Sequence, residues 1–584
     1  MKKIQFKPFA VFALAAVLLS GCAGLNKMKK NADQIQFNVS PEVLETHAGE
    51  VDVDITGRFP AEYFNKKATL VATPVLKYED GQTEYKPVTL QGEKVEANNK
   101  VISYNAGGSF NYSDVVDFKN EMRKSELYMN ITASKGTKSV DFDPIKIADG
   151  VIATSTLVAN YPKPILGVRR EANNSGKYDP NIDPFQRVVS DEMLADIHYL
   201  INRANLRGEE ITAEDVVEYL KYTQKANEDK NIDLKDVQVS AYASPDGEID
   251  FNTELAANRK NTSSDFLAKK LKEAGIDINM KTRYTPEDWE GFKEELEKSN
   301  IQDKELILRV LSMYTDPEVR EREIRNLSET FTALAETVLP ELRRAKLLTS
   351  VELIGKTDAE LKSLAQSDPA SLNPAELLYA ATLFEDLDEQ LEVYNSFQKV
   401  YPDDWRGPNN AGYVLVKQMN YEEAKPLFEK AERLKNDEPV IKNNLGAVAL
   451  YEGNTSEAET LFGAASGAGD EVNYNLGIVS IKKANYDQAV RYFGSYQDIN
   501  SALAKMLTGN NNGALRDLEA FERENCFMKE YLKAVIGART AKETMMFNSL
   551  EEAVSINPEV KEWAKTDLEF AEYFNNPRFQ EIVD

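Results

Sequence analysis

Apolar and polar positions alternate with a period of two over the first third of the chain. In Val51-Asp52-Val53-Asp54-Ile55 one face is aliphatic and the other acidic, as in a strand with one side on a core. Similar runs are Thr69–Thr73, Pro87–Leu90, Val101–Tyr104 and Leu127–Ile131, separated by the turn signals Asp80-Gly81, Asn98-Asn99, Gly107-Gly108 and Lys135-Gly136. This spacing predicts a β-sandwich over 35–168. Residues 169–190 read as a polar linker. Over 191–355 strand-like and helix-like runs alternate. Strands are expected at Ile197–Ile201, Val237–Tyr242, Ile278–Tyr284 and Leu347–Ile354. Helices are expected at Thr212–Lys225 and Leu255–Ala274, with a helical insert from Pro286 to about Leu339. From Ser371 the period becomes helical. The fold class is therefore multidomain: an N-terminal β-sandwich, a central α/β domain and a C-terminal α-solenoid.

The solenoid reading rests on an internal repeat. Gly412, Ala424, Phe428 and Ala431 recur 34 residues later as Gly446, Ala458, Phe462 and Ala465. They recur again, three residues early, as Gly477, Ala489 and Phe493, with Tyr496 for the last alanine. These positions resemble the signature of tetratricopeptide repeats, in which small residues let paired helices approach and the phenylalanine is expected to fill the layer against the next repeat. Weaker units flank them, around Tyr394 and Pro402 and around Ala534, Leu550, Ala553 and Pro558. The resemblance implies a concave groove that binds a protein partner, or else another part of the same chain. Asn409, Tyr413, Lys417, Asn443, Asn473 and Lys482, on the first helices of the repeats, are the candidate contacts. The N-terminal sandwich is Ig-like in strand spacing and carries no catalytic pattern.

The N-terminus changes the compartment. Lys2, Lys3 and Lys7 precede the apolar run Phe9–Leu19, which is too short to span a bilayer, and Leu19-Ser20-Gly21-Cys22 follows. This resembles the lipobox of bacterial lipoproteins. It implies removal of residues 1–21, lipidation of Cys22, and a polar tether over 22–34. Loss of three lysines takes the net charge from −26 to −29. So acidic a chain disfavours nucleic-acid partners. Lys27, Lys29 and Lys30 read as part of the solvated tether. With no acid until Asp33 after Cys22, the expected site is the periplasmic face of the outer membrane.

Candidate chemistry is sparse. Cys526 has no second thiol once Cys22 is lipidated, and it reads as a core residue. With His47 and His198 as the sole histidines, a zinc site of several Cys and His is excluded by count. Asp179, Asn181 and Asp183 lack the later ligands of a calcium loop. No cofactor or metal is expected.

The central domain resembles the OmpA-type C-terminal domain of Gram-negative envelope proteins. The matching residues are Ile197–Leu206, Tyr242, Gly247, Asn252, Leu255, Arg259 and Arg343-Arg344. The Ser244-Pro245-Asp246-Gly247 loop and Glu287–Gly291 resemble the version common in Bacteroidota. In that family a loop aspartate and a helix arginine fifteen residues later hold the diaminopimelate of peptidoglycan. The resemblance implies peptidoglycan binding through Ser244, Asp246, Asn252 and Arg259. Ser244 replaces the family's aspartate, and Lys260 its alanine. The whole arrangement resembles outer-membrane lipoproteins of Bacteroidota that act as non-enzymatic scaffolds. The alternative is a periplasmic enzyme acting on wall or glycan, for which Asp288 and Glu290 beside Trp289 would be the acids.

Overall fold

The computed structural model describes residues 24–167, 187–301, 304–326 and 328–584. Cys22 and the Asp179–Asp183 run lie outside these residues. The chain forms two compact bodies, one of residues 1–167 with 390–584 and one of 168–389.

In the first body, eleven strands form one connected sheet that curls into a half-barrel. The alternation read at Val51–Ile55 extends over the strand Glu50–Phe59, whose inward residues are Val51, Val53, Ile55, Gly57 and Phe59. They share a core with Leu70, Ala72 and Leu76 of Thr69–Tyr78 and with Leu127, Met129, Ile131 and Ala133 of Ser125–Lys135. Two expectations fail here. Residues 24–30, read as tether, form a helical turn. Leu25 and Met28, one turn apart, are wholly buried in the sheet's core. The sheet also ends early: its last strand is Ile145–Ile152, and the rest of the expected sandwich leaves it.

The same body contains five consecutive helical hairpins, from Arg406–Lys417 with Tyr421–Leu434 to Phe527–Arg539 with Glu543–Ile556. A methyl group on Gly412 would sit 2.7 Å from Phe428, on Gly446 2.7 Å from Phe462, and on Gly477 2.6 Å from Phe493. Each phenylalanine thus seats on the glycine of its own hairpin, and Phe428 also shares a core with Val448 of the next repeat. The helices touch at this point because the glycine has no side chain.

In the second body, Val188–His198 pairs antiparallel with Arg344–Ile354, which pairs antiparallel with Ile232–Tyr242, and that strand pairs in parallel with Lys281–Thr285. The helices Glu214–Glu228 and Ile249–Glu273 fill the connections. The first strand begins inside the expected linker and stops at His198. Asn202 adopts a left-handed φ of 56°, and Leu200 and Ile201 turn out to solvent. The helical insert has its own core of Phe292, Leu296, Ile307, Leu311, Leu334, Val338, Leu339 and Leu342. The helices Asp358–Ser367 and Pro374–Thr382 belong to this body, so the expected solenoid boundary at 371 moves to about 390.

Candidate functional site

The solenoid groove is already occupied. After a short 3₁₀ turn at Thr154–Leu157, residues 158–167 leave the sheet and run extended along the first helices of the repeats. Four asparagines hold their main chain. Gly167 N–H donates to Asn410 Oδ1 (2.6 Å), Ile165 N–H to Asn444 (2.7 Å), Lys163 N–H to Asn475 (2.7 Å) and Ala159 N–H to Asn500 (2.8 Å). Each asparagine amide returns a bond to the carbonyl of the same residue, at 3.5, 2.7, 2.9 and 2.9 Å. A carboxamide carries one acceptor and one donor group at the spacing of a peptide unit, so each rung reads main chain and not side chain. All four asparagines are essentially inaccessible.

The strap is built for this seat. Pro162 and Pro164 fall on residues whose nitrogen faces away from the rungs, and their fixed φ holds the chain extended. A methyl on Gly167 would lie 2.9 Å from both Asn410 Oδ1 and Trp405 and 3.0 Å from Asn409 Nδ2, so only glycine fits. Ile165 is 1% exposed within the solenoid core. The Lys163 ammonium lies 3.9 Å from the ring centres of both Tyr474 and Tyr496. Burial pulls its pKa below the usual lysine value, opposed by the charges of Asp498 and Glu471.

The six contacts expected from sequence divide. Asn409 donates to Ile165 O (3.4 Å) and Asn443 to Lys163 O (3.0 Å), so both hold the chain's own strap and are closed to a partner while it is seated. Lys417 and Asn473 are solvent-exposed. The Lys417 ammonium stands 5.6 Å from the Tyr413 ring centre. Lys482 is half-buried, and burial lowers its pKa. Sequence reasoning missed Asn410, Asn444, Asn475 and Asn500. The signal was present: in the three clear repeats an asparagine stands two residues before the glycine, inside a helix, where asparagine is a poor helix former.

Where the strap lifts toward the sheet, an open cleft of about 1020 Å³ remains. Tyr161, Tyr451, Tyr474, Phe521, Phe527, Met528, Tyr531 and Trp563 line it, with Arg123, Arg523, Asp498 and Glu562 among its polar residues. Tyr161, Met419, Tyr451 and Trp563 are large apolar side chains that stay exposed there. Cys526, expected in the core, is partly buried against it and also borders this cleft, just before the helix Phe527–Arg539.

The central domain brings its four expected residues to one loop but spends them internally. Arg259 has no exposed surface. Its guanidinium donates to the carbonyls of Tyr242 (2.8 Å), Arg203 (3.0 Å) and Leu200 (3.3 Å). Burial is the main cause that lowers its pKa to about 10. Asn252 donates to the carbonyls of Ser244 and Gly247 and so shapes the loop. Ser244 donates to Asp246. Arg343 approaches both, at 3.4 and 3.5 Å, and Arg325 of the insert donates to the Asp246 carbonyl. Of the acids considered for catalysis, Asp288 caps the helix Trp289–Lys298 through Gly291 N–H (2.9 Å) and lies 3.6 Å from Arg344; Glu290 is exposed. His198 lies between Glu210 and Glu341 at the end of its strand. Among the described residues no cluster of His, Cys, Asp and Glu could hold a metal ion, and no helix is long and apolar enough to cross a membrane.

No family model matches the sequence, and no curated protein matches it. Solved structures with partial likeness include a tetratricopeptide repeat protein from Parabacteroides merdae, at 17% identity over 39% of this chain and 89% of that one, with a TM-score of 0.27. Pseudomonas aeruginosa pilF matches at 14% identity over 39% and 98%, TM-score 0.28. Yeast Tom70 matches at 14% over 65% and 79%, TM-score 0.25. At these values the solenoid's likeness to tetratricopeptide repeats rests on its own register and helix packing.

Proposed function

We propose that this chain is a non-enzymatic scaffold of the cell envelope: a lipoprotein held through Cys22 on the periplasmic face of the outer membrane, which captures a protein partner on its solenoid. The observation that carries the partner-binding half is the strap. The groove holds ten residues of extended chain by main-chain hydrogen bonds, which is peptide-binding chemistry, and an aromatic cleft stays open beside it. The docking site is therefore the cleft around Tyr451 and Trp563, not the ladder. Exposed aromatic side chains in a concave site are the usual anchors of such contacts.

Site-specific photocrosslinkers placed at Tyr451 and Trp563 in cells, against the same group at Asn473 and Lys417, test this. One partner band at the cleft positions, lost in a Tyr451→Ala/Trp563→Ala background probed from Met419, is the expected result. Equal crosslinking at all four positions would sink the assignment. For the anchor, Cys22→Ala should move the chain from the detergent phase to the aqueous phase; unchanged partitioning would remove the lipid.

Wall contact has less behind it. It comes from the OmpA resemblance, and the four-stranded α/β sheet, with Ser244 and Asp246 on one loop and Asn252 of the following helix bonded to that loop, is compatible with that descent. Arg259, however, presents no face to solvent, and Arg343 already sits beside Asp246. Titration of the full chain with a diaminopimelate muropeptide should give no heat above dilution. Binding that disappears in Arg259→Lys would restore the family's mode.

A further inference from the structure

The chain is strongly acidic, yet the point where it leaves the described structure toward Cys22 is basic. Three stretches meet there. The first is the helical turn 24–30, which carries Lys27, Lys29 and Lys30 and no acid. It is fixed to the sheet by Leu25 and Met28, and Tyr63 Oη donates to Met28 O at 2.7 Å. The second is the loop 63–68, with Lys66 and Lys67. Its Asn65 packs so close to Gly24 that a methyl there would collide with the Asn65 amide. The third is 92–95, whose Lys94 N–H donates to Lys66 O at 2.7 Å. Glu93 is the one acid within these stretches, and it stands 3.8 Å from Lys66; the exposed Glu62 and Glu96 stand at their ends. Lys29 is paired with Asp143 at 3.1 Å. Lys27, Lys30, Lys67 and Lys94 are exposed.

We infer that this face docks on the anionic headgroups of the bilayer that anchors the chain. The inference rests on the anchor reading above and deepens it. Cys22 is two residues from Gly24, so the lipidated sulfur lies within about 7 Å of main chain from the folded helix. No tether separates them. The acyl chains therefore hold the lysine face against the membrane, where each ammonium meets headgroup phosphate at a separation inside the Debye length. A basic patch that would otherwise interrupt an acidic surface then has an opposite charge to face, and the remaining acidic surface is repelled outward. The two interactions are of the kind that together give stable anchoring, an acyl group plus a polybasic patch.

Lysine footprinting on the purified full chain tests this. Acetylation is read residue by residue in detergent, in phosphatidylcholine nanodiscs and in nanodiscs with about one-third phosphatidylglycerol. Reactivity at Lys27, Lys30, Lys67 and Lys94 should fall several-fold in the anionic discs, and should partly recover in high salt, while Lys417 stays constant. Lys67→Glu should reduce the protection of Lys94 without shifting the thermal transition. Intact mass reads acylation at Cys22 separately. An acylated chain whose four lysines remain as reactive as Lys417 overturns the docking face and leaves the anchor standing. An unacylated chain removes the anchor, and absence of protection on added anionic vesicles then removes the docking face as well.

Discussion

At the scale of single residues, the groove depends on carboxamides more than on apolar contacts. Asn444→Ala leaves Ile165 N–H without a partner in a fully buried site and weakens the bonding of its carbonyl. The expected cost is about 1–3 kcal/mol, read from the denaturant midpoint. Asn444→Asp should cost as much, because a carboxylate cannot donate to that carbonyl. Lys417→Ala, on the exposed side, should stay within about 0.5 kcal/mol of the parent. Equal effects at Asn444 and Lys417 would mean that the strap is not held by the ladder. Sequence reading found Asn409 and Asn443 as polar positions of the groove but not Asn410 and Asn444 beside them, though all four are buried against the strap. What each asparagine meets was not legible, because that partner is hundreds of residues away in sequence. Arg259 was similarly visible as a residue type, while its role was not: the three carbonyls it bonds come from two separate strand ends.

At the scale of elements, the repeat was legible because its contacts are local and periodic. Gly446 and Phe462 are sixteen residues apart and meet by close approach, so the spacing alone carries the packing. Gly446→Leu should cost about 1–3 kcal/mol through overpacking. Gly463, in the last turn of the helix Thr455–Ala464 with open space around its would-be methyl, should behave oppositely: Gly463→Ala should gain about 0.4–1 kcal/mol, chiefly by restricting the unfolded chain. Thermal midpoints of the two variants check both signs. The strap was not legible as an element. Its strand-like composition placed it in the sandwich, and Pro162 and Pro164 were the one local warning that no sheet neighbour was expected on that edge. The helical turn 24–30 was lost for the opposite reason: two apolar residues among lysines are too few to outweigh a polar composition.

At the scale of the molecule, the strap ties sheet to solenoid, and other contacts assist it. His47 Nδ1 meets Tyr486 Oη at 2.6 Å, and Glu45 lies 3.2 Å from the other ring nitrogen. The hydrogen bond from His47 is the largest cause holding the Glu45 pKa below its usual 4.5. A carboxyl depressed in the folded state contributes stability above pH 4.5 that is lost as pH falls below it. Glu45→Gln should therefore flatten the acid limb of the melting profile and leave pH 7 to 8 nearly parallel to the parent. Replacing 158–167 by a glycine–serine decapeptide should split the calorimetric transition of this body into separate sheet and solenoid events; a single unchanged transition would deny the strap its coupling role. The partners of the strap sit between 243 and 341 residues downstream. A ribosome adding about 5–20 residues per second makes the seat roughly ten to seventy seconds after it makes the occupant. During that interval the strap is an unclaimed extended segment, shielded from strand pairing on one edge by its two prolines. A chain cut short anywhere before Asn500 is born with its groove unfinished and its strap at large, so quality control can read completeness from ten residues near the beginning.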